Sequence, residues 1–130
     1  MKFPMQFHEW LSSALLVPVP DQVAAFSFNL FESGRVEGVR FGVELVGAEH
    51  FDPEDSDWAC EEIWVAEPRE LHIPITFSGE GWEECLQKMN ALLQFELEHQ
   101  RGVSSILKSR RALALGFVDG DLQIVWSSEP

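Results

Sequence analysis

Two segments of the chain repeat their apolar residues at helical spacing. In the clearer one, residues 80–99, the apolar positions that share one face are Trp82, Cys85, Leu86, Met89, Leu92, Leu93 and Leu97. Residues 7–17 show the same spacing until Pro18 and Pro20 stop it. The pattern predicts one long helix, ended by Gly102, and a short N-terminal helix that closes one end of the core. A short basic helix is predicted over residues 104–111.

Alternating apolar and polar residues predict two strands in the first half of the chain. Residues 23–32 and 36–46 alternate, and Ser33-Gly34 between them is a turn signal. A further pair of strands is predicted nearer the C-terminus, where residues 113–118 and 122–126 flank Asp119-Gly120. Both pairs are therefore predicted to be β-hairpins.

Two short, β-rich segments lie in the middle of the chain. Residues 61–66 and 71–77 are predicted as strands, with a hairpin through Glu67-Pro68-Arg69 and with Pro74 at an edge or beside a bulge. The order of elements predicts one α+β domain over residues 1–130. Its antiparallel sheet of about six strands would pack against one long helix, with the short N-terminal helix beside it.

Composition favours a soluble intracellular protein. The chain has 130 residues, 45% of them hydrophobic, and no apolar run approaches the roughly 20 residues that a membrane-spanning helix needs. The stretch after Lys2 is broken by Pro4 and Glu9, which a secretory signal would not be, so a cytoplasmic location is expected and signal-free export stays open. Cys60 and Cys85 are too few for a disulfide framework and are expected to be reduced core thiols.

Negative charge is concentrated in one part of the chain. The net charge is -13, and between Glu44 and Glu84 thirteen acidic residues accompany a single base, Arg69. Residues 99–118 invert the pattern, and their bases are Arg101, Lys108, Arg110 and Arg111. This asymmetry favours a basic partner, and it disfavours nucleic acids and anionic membranes because they are polyanions. The basic cluster around Arg110 is the one exception to that argument.

No segment carries a catalytic or metal-binding signature. The acidic loop 50–57 is rich in oxygen ligands, but it lacks the glycine and the ligand alternation of an EF-hand, so a solvated loop is favoured over a calcium or magnesium site. The histidines are dispersed without metal-site spacing at His8, His50, His72 and His99. No G-x-S-x-G elbow is present. We therefore predict no catalytic residues, no metal, no cofactor and no enzymatic activity.

Three tryptophans lie in or near the acidic segment. Trp64 and Trp82 occupy positions that match buried faces and are predicted to be core residues. Trp58 directly follows the acidic stretch 50–57, in the predicted loop 50–59, and is predicted to be an exposed anchor for a partner, because aromatic anchors ringed by charge are typical of tight interfaces.

The acidic loop 51–58, the helix 82–97 and the closing hairpin 116–122 together resemble the immunity proteins of bacterial toxin systems. The resemblance implies a non-enzymatic protein that neutralises a basic cognate toxin by occluding it with an acidic surface. The expected contact residues are Asp52, Glu54, Asp55, Asp57, Trp58, Glu61 and Glu62. The partner would be a protein, with no nucleic acid and no membrane involved, and a homodimer stays open. The alternative is a structural or adaptor protein that self-associates or pairs through a sheet edge, and an enzyme ranks third.

Overall fold

Five strands form one mixed sheet in the computed structural model, which describes residues 2–34 and 36–128, the side chain of residue 56 excepted. The strands are β1 (Ala25–Glu32), β2 (Val39–Ala48), β3 (Glu62–Pro74), β4 (Ala112–Phe117) and β5 (Gln123–Ser127). Their order across the sheet is β3-β2-β1-β4-β5. The protein is thus α+β, and the hairpins β1-β2 and β4-β5 confirm two sequence predictions.

The prediction of an antiparallel sheet of about six strands is wrong in two respects, because the sheet is mixed and has five strands among the described residues. β1 and β4 run parallel, with Ala25 opposite Ala112 and Leu30 opposite Phe117. β2 already occupies one edge of β1, so β4 adds to the other edge after the chain has crossed over the sheet through its helices. A parallel pair of this kind has no local sequence signal, since its two strands are far apart in the chain.

The predicted hairpin at Glu67-Pro68-Arg69 is also wrong, because β3 continues through these residues. Val46 of β2 pairs with Val65 and Glu44 pairs with Glu70, so the residues between form a bulge in an edge strand. The Glu67–Pro68 peptide bond is cis. Proline is tolerated here because a bulge needs no ladder donor from its backbone nitrogen. The carbonyl oxygen of Pro68 accepts a 2.7 Å hydrogen bond from Trp10 Nε1, which ties the bulge to the N-terminal helix.

Among the described residues, four α-helices accompany the sheet: α1 (Phe3–Leu16), α2 (Ile75–Ser78), α3 (Trp82–His99) and α4 (Arg101–Leu107). The predicted N-terminal and long helices are confirmed, although α1 begins earlier because Pro4 suits a first helical turn. The long helix ends at His99, and Gly102, predicted to end it, lies inside α4. The predicted basic helix lies a few residues nearer the N-terminus, as α4. Residues 75–77, predicted as strand, form the single turn α2. Within the described ranges, no helix combines the length and apolarity of a membrane span.

The helices cover one face of the sheet with an aromatic core. Phe7 of α1 is fully buried and lies 6.1 Å from Phe28 of β1 between ring centroids. Cys85, Met89 and Leu93 of α3 are also buried in this cluster. The opposite face of the central strands carries small residues, and its cover comes from elsewhere in the chain.

Candidate partner-binding surface

The acidic loop, here residues 49–61, is anchored on the sheet face that the helices leave uncovered. Its two aromatic rings, Phe51 and Trp58, meet edge to face with 5.1 Å between centroids, and both are buried. They pack against four alanines of the central strands, which are Ala25, Ala48, Ala112 and Ala114. Alanine side chains leave room for whole rings, so the loop is held by apolar contact beneath its charged surface.

One base from the end of the crossover fixes the same loop from the side. The Arg111 guanidinium lies 5.3 Å from the Phe51 ring centroid, and its Nη1 donates a 3.1 Å hydrogen bond to the Phe51 carbonyl oxygen. Two acidic residues shape the loop backbone: Asp52 Oδ1 accepts from the Glu54 nitrogen and Asp55 Oδ1 from the Asp57 nitrogen, each at 3.0 Å. Asp55 thereby caps the short 3-10 helix Ser56–Cys60.

Six of the seven predicted contact residues lie on the exposed side of this loop and its continuation into β3. They are Asp52, Glu54, Asp55, Asp57, Glu61 and Glu62. Across residues 2–34 and 36–128, no ion pair joins Asp52, Glu54, Asp55 or Asp57 to a base. Glu61 lies 3.3 Å from His50, and both side chains are exposed. The surface therefore keeps most of its negative charge.

Trp58 is not the exposed anchor that the sequence predicts, because only 6% of it is accessible. The alanine face requires an apolar cover, and Trp58 supplies it from the loop. The prediction for Trp82 is wrong in the opposite direction: α3 begins at this residue, and its side chain is 56% exposed. Trp64 is half-buried against the core, edge-on to Phe26.

Of the two predicted core thiols, Cys85 is buried, which raises its pKa to about 12, whereas Cys60 is exposed.

A chain of polar side chains continues from the loop across the same face of the sheet. Ser27 donates to Asn29, and Asn29 donates to Glu44 at 3.0 Å. Arg69 then joins the chain, with Nε 2.9 Å from Glu44 and Nη2 2.9 Å from Glu62. The hydrogen bonds that Arg69 donates to these two carboxylates raise its pKa. The single base of the acidic segment is thus shared by two acids and does not cancel the charge of the surface.

The basic cluster contacts the protein itself. Arg110 Nη2 donates to the Val19 carbonyl oxygen at 3.2 Å, and Nη1 lies 3.4 Å from the Asp21 carbonyl oxygen. Lys108 Nζ lies 6.0 Å from the Trp126 ring centroid. Together with the Arg111 contacts, this geometry gives three of the four bases a structural role in joining loops to the sheet.

Three exposed side chains at the two ends of the acidic loop could each offer a ligand atom to a metal ion. Glu49, His50 and Glu61 bring these atoms within 4.8 Å of one another. All three are solvated, and the carboxylates of Asp52 and Asp55 are used in the loop turns instead. That the protein uses no metal or cofactor stays a prediction.

A buried carboxylate lies between α1 and α3, and no pattern in the sequence indicates it. Glu96 is 1% exposed and lies 3.0 Å from His8 Nδ1, while Ser12 Oγ lies 3.3 Å from His8 Nε2. Burial raises the pKa of Glu96, and His8 opposes part of that rise. The order serine, histidine, glutamate matches a hydrolytic triad, but Ser12 is inside α1, where the neighbouring peptide nitrogens serve the helix and cannot bind an oxyanion. We interpret the group as a link between two helices.

Comparisons with protein-family models, with curated proteins and with solved structures gave no match to this chain.

Proposed function

We propose that this protein is a non-enzymatic binding protein that docks its acidic loop on a basic protein, in the manner of an immunity protein that occludes a toxin. The observation that carries the proposal is the construction of the loop. Two buried aromatic rings and Arg111 hold it in place, while its carboxylates face solvent. A preorganised charged surface costs less to order on binding than a mobile one does.

Electrostatics predicts how such a complex would form. Exposed charges steer a partner during diffusion, and salt screens them beyond about 10 Å at 0.1 M ionic strength. The association rate should therefore fall steeply with salt, while the dissociation rate changes less. The contact set is the predicted one without Trp58, and it consists of Asp52, Glu54, Asp55, Asp57, Glu61 and Glu62.

The test removes charge from the loop without removing its turns. In the variant D52N/E54Q/D55N/D57N, the asparagines at positions 52 and 55 each keep an Oδ1 that can accept the existing backbone hydrogen bond. The control variant E9Q/E80Q/E83Q/E98Q neutralises four exposed carboxylates elsewhere. Tagged wild type and both variants are used to capture partners from host lysate at low salt, and retained proteins are identified by mass spectrometry.

We expect wild type and the control variant to retain the same basic protein in equal ratio and the loop variant to lose it. The recovered protein should inhibit growth when expressed alone, and co-expression with wild type should relieve that inhibition. Equal retention by the loop variant, or an association rate indifferent to salt, would contradict docking through the acidic loop. A partner without toxicity would remove the immunity role and leave the binding role.

The second candidate is self-association through a sheet edge. β3 and β5 end the sheet on either side, and Ile124 of β5 is 42% exposed, so this edge offers backbone groups and an apolar side chain together. A sharp dimer that persists at high salt in light scattering would favour this role. A salt-resistant monomer would remove it.

A further inference from the structure

A cavity of about 320 Å³ lies where the parallel strands β1 and β4 both end. Its apolar lining comes from Phe31 of β1, Phe117 of β4, and Trp82 and Leu86 of α3. In sheets with parallel strands, the carboxyl ends of neighbouring strands are a recurrent place for ligands. The size is at the lower end for small-molecule sites, which suits a ligand of few atoms.

The walls of this cavity are held by contacts with the rest of the protein. Trp82 meets Phe117 edge to face at 6.3 Å, and Phe117 meets the buried Phe41 in the same way at 5.4 Å. The turn after β4 is fixed by a 2.9 Å hydrogen bond from the Val118 nitrogen to the Leu30 carbonyl oxygen. The backbone of Asp121 folds so closely over Gly116 that a Cβ on Gly116 would lie 2.5 Å from the Asp121 carbonyl oxygen. The shape is therefore formed before any ligand enters.

The charged residues that line this cavity are all acidic. Glu32, Asp119 and Asp121 line it, and none of its described lining residues is basic. Carboxylates beside an exposed indole favour a cation, since the ring face attracts positive charge as well. An apolar lining with an acidic rim therefore fits a ligand that has an apolar body and one positive charge.

We propose that this cavity binds a small organic cation, of the class of protonated aryl- or alkylamines. The site is independent of the proposed partner surface. The acidic loop packs on Ala25, and Phe31 is six residues further along β1, or roughly 20 Å at the rise of a strand. A lysine or arginine side chain of another protein offers the same chemistry, so the experiment separates the two sources.

The experiment follows the tryptophan indole N–H signals of the full chain by ¹H–¹⁵N NMR. The Trp82 signal is assigned by its loss in W82F, which is a mild change because the side chain is more than half exposed. Phenethylammonium is titrated against 2-phenylethanol, which keeps the ring and removes the charge. Blocked lysine, N-acetyl-lysine methylamide, represents a protein side chain.

We expect phenethylammonium to shift the Trp82 signal saturably with a Kd of about 1 mM or tighter. 2-Phenylethanol should bind wild type about fivefold more weakly, or weaker still. Phenethylammonium should lose affinity for D119N/D121N by a similar factor. E80Q/E98Q, which removes two exposed charges outside the cavity, should bind like wild type. Tighter binding of blocked lysine would support the same chemistry with a protein side chain as its source. No saturable shift, or equal binding of amine and alcohol, would overturn the proposal, and E32Q serves as the second variant if D119N/D121N does not fold.

Discussion

Two acidic side chains, Glu96 and Glu44, are largely withdrawn from solvent, and each contacts a polar partner. Glu96 is buried against His8, and Glu44, with 15% of its side chain accessible, accepts hydrogen bonds from Asn29 and Arg69. A charge that loses its partner keeps the cost of desolvation without compensation. Single substitutions at these partners should therefore change the free energy of unfolding measurably, whereas single substitutions of solvated acids should not.

The Glu96 carboxyl should make stability depend on pH in a defined direction. Its pKa is raised above the ordinary value of 4.5, chiefly by burial. A raised pKa stabilises the fold fully below the unfolded-state value, and this contribution is lost as the pH rises through the folded-state value. We expect the free energy of unfolding of wild type to fall relative to E96Q as the pH rises above 4.5, measured by denaturant titration.

The control for this prediction is E98Q, because Glu98 is close in sequence and its side chain is 67% exposed. The difference in the free energy of unfolding between E98Q and wild type should not change across the same pH range. A constant difference between E96Q and wild type would show that Glu96 does not titrate differently in the folded and unfolded states.

Arg69 should contribute through the two carboxylates that it joins. R69A removes hydrogen bonds to Glu44 and Glu62 and leaves both acids without the base that they share. Because the Arg69 side chain is 43% exposed, solvent screening limits the expected loss of stability to about 1 kcal/mol. In R69A/E44Q the loss should be smaller than the sum of the two single effects. K88A, which breaks an exposed ion pair with Glu84, is the control and should change the free energy of unfolding by a few tenths of a kcal/mol at most.

At the scale of elements, the acidic loop is stabilised by its aromatic rings, and this can be tested with a matched pair of tryptophans. W58A removes a buried ring from the alanine face and should lower the free energy of unfolding by about 3 kcal/mol. W82A removes an exposed ring and should cost less than about 1 kcal/mol. Denaturant unfolding of both variants measures the difference. Equal losses would mean that Trp58 does not anchor the loop.

The two tryptophans also show what the sequence can and cannot predict. Periodicity locates α3 well, but it assigns Trp82 to the core because it cannot show that this first residue of the helix stays exposed. Trp58 lies in a loop without period, so nothing local reveals the alanine face beneath it. The hairpins were predictable because their turn residues are adjacent in sequence. The β1-β4 pair and the His8–Glu96 contact were not, since each joins distant segments.

A local sequence pattern was also enough to predict which contact residues are exposed. They are Asp52, Glu54, Asp55, Asp57, Glu61 and Glu62. A polar stretch without period indicates a solvated loop, and the structure places these six residues at the surface. The cavity beside Trp82 had no sequence signal, because its lining comes from β1, β4 and α3. Only the fold brings those residues together.

For the whole molecule, the net charge of -13 should destabilise the folded state at low ionic strength. Added sodium chloride screens the repulsion, so the melting temperature should rise by several degrees, with roughly 4 °C corresponding to 1 kcal/mol for a domain of this size. Differential scanning calorimetry at low and moderate salt measures the shift. D52N/E54Q/D55N/D57N should melt higher than wild type at low salt and respond less to added salt. An equal response would mean that the repulsion is not centred on the acidic loop.

The parallel pairing of β1 with β4 has a consequence for how the protein is made. β1 is the middle strand of the sheet, yet one of its two edges is completed only by residues 112–117. While a ribosome synthesises the intervening residues, β1 and β2 can pair, but the far edge of β1 remains an open template for other strands. The nascent chain therefore keeps an aggregation-prone strand edge through most of its synthesis, and this edge is covered only when β4 emerges.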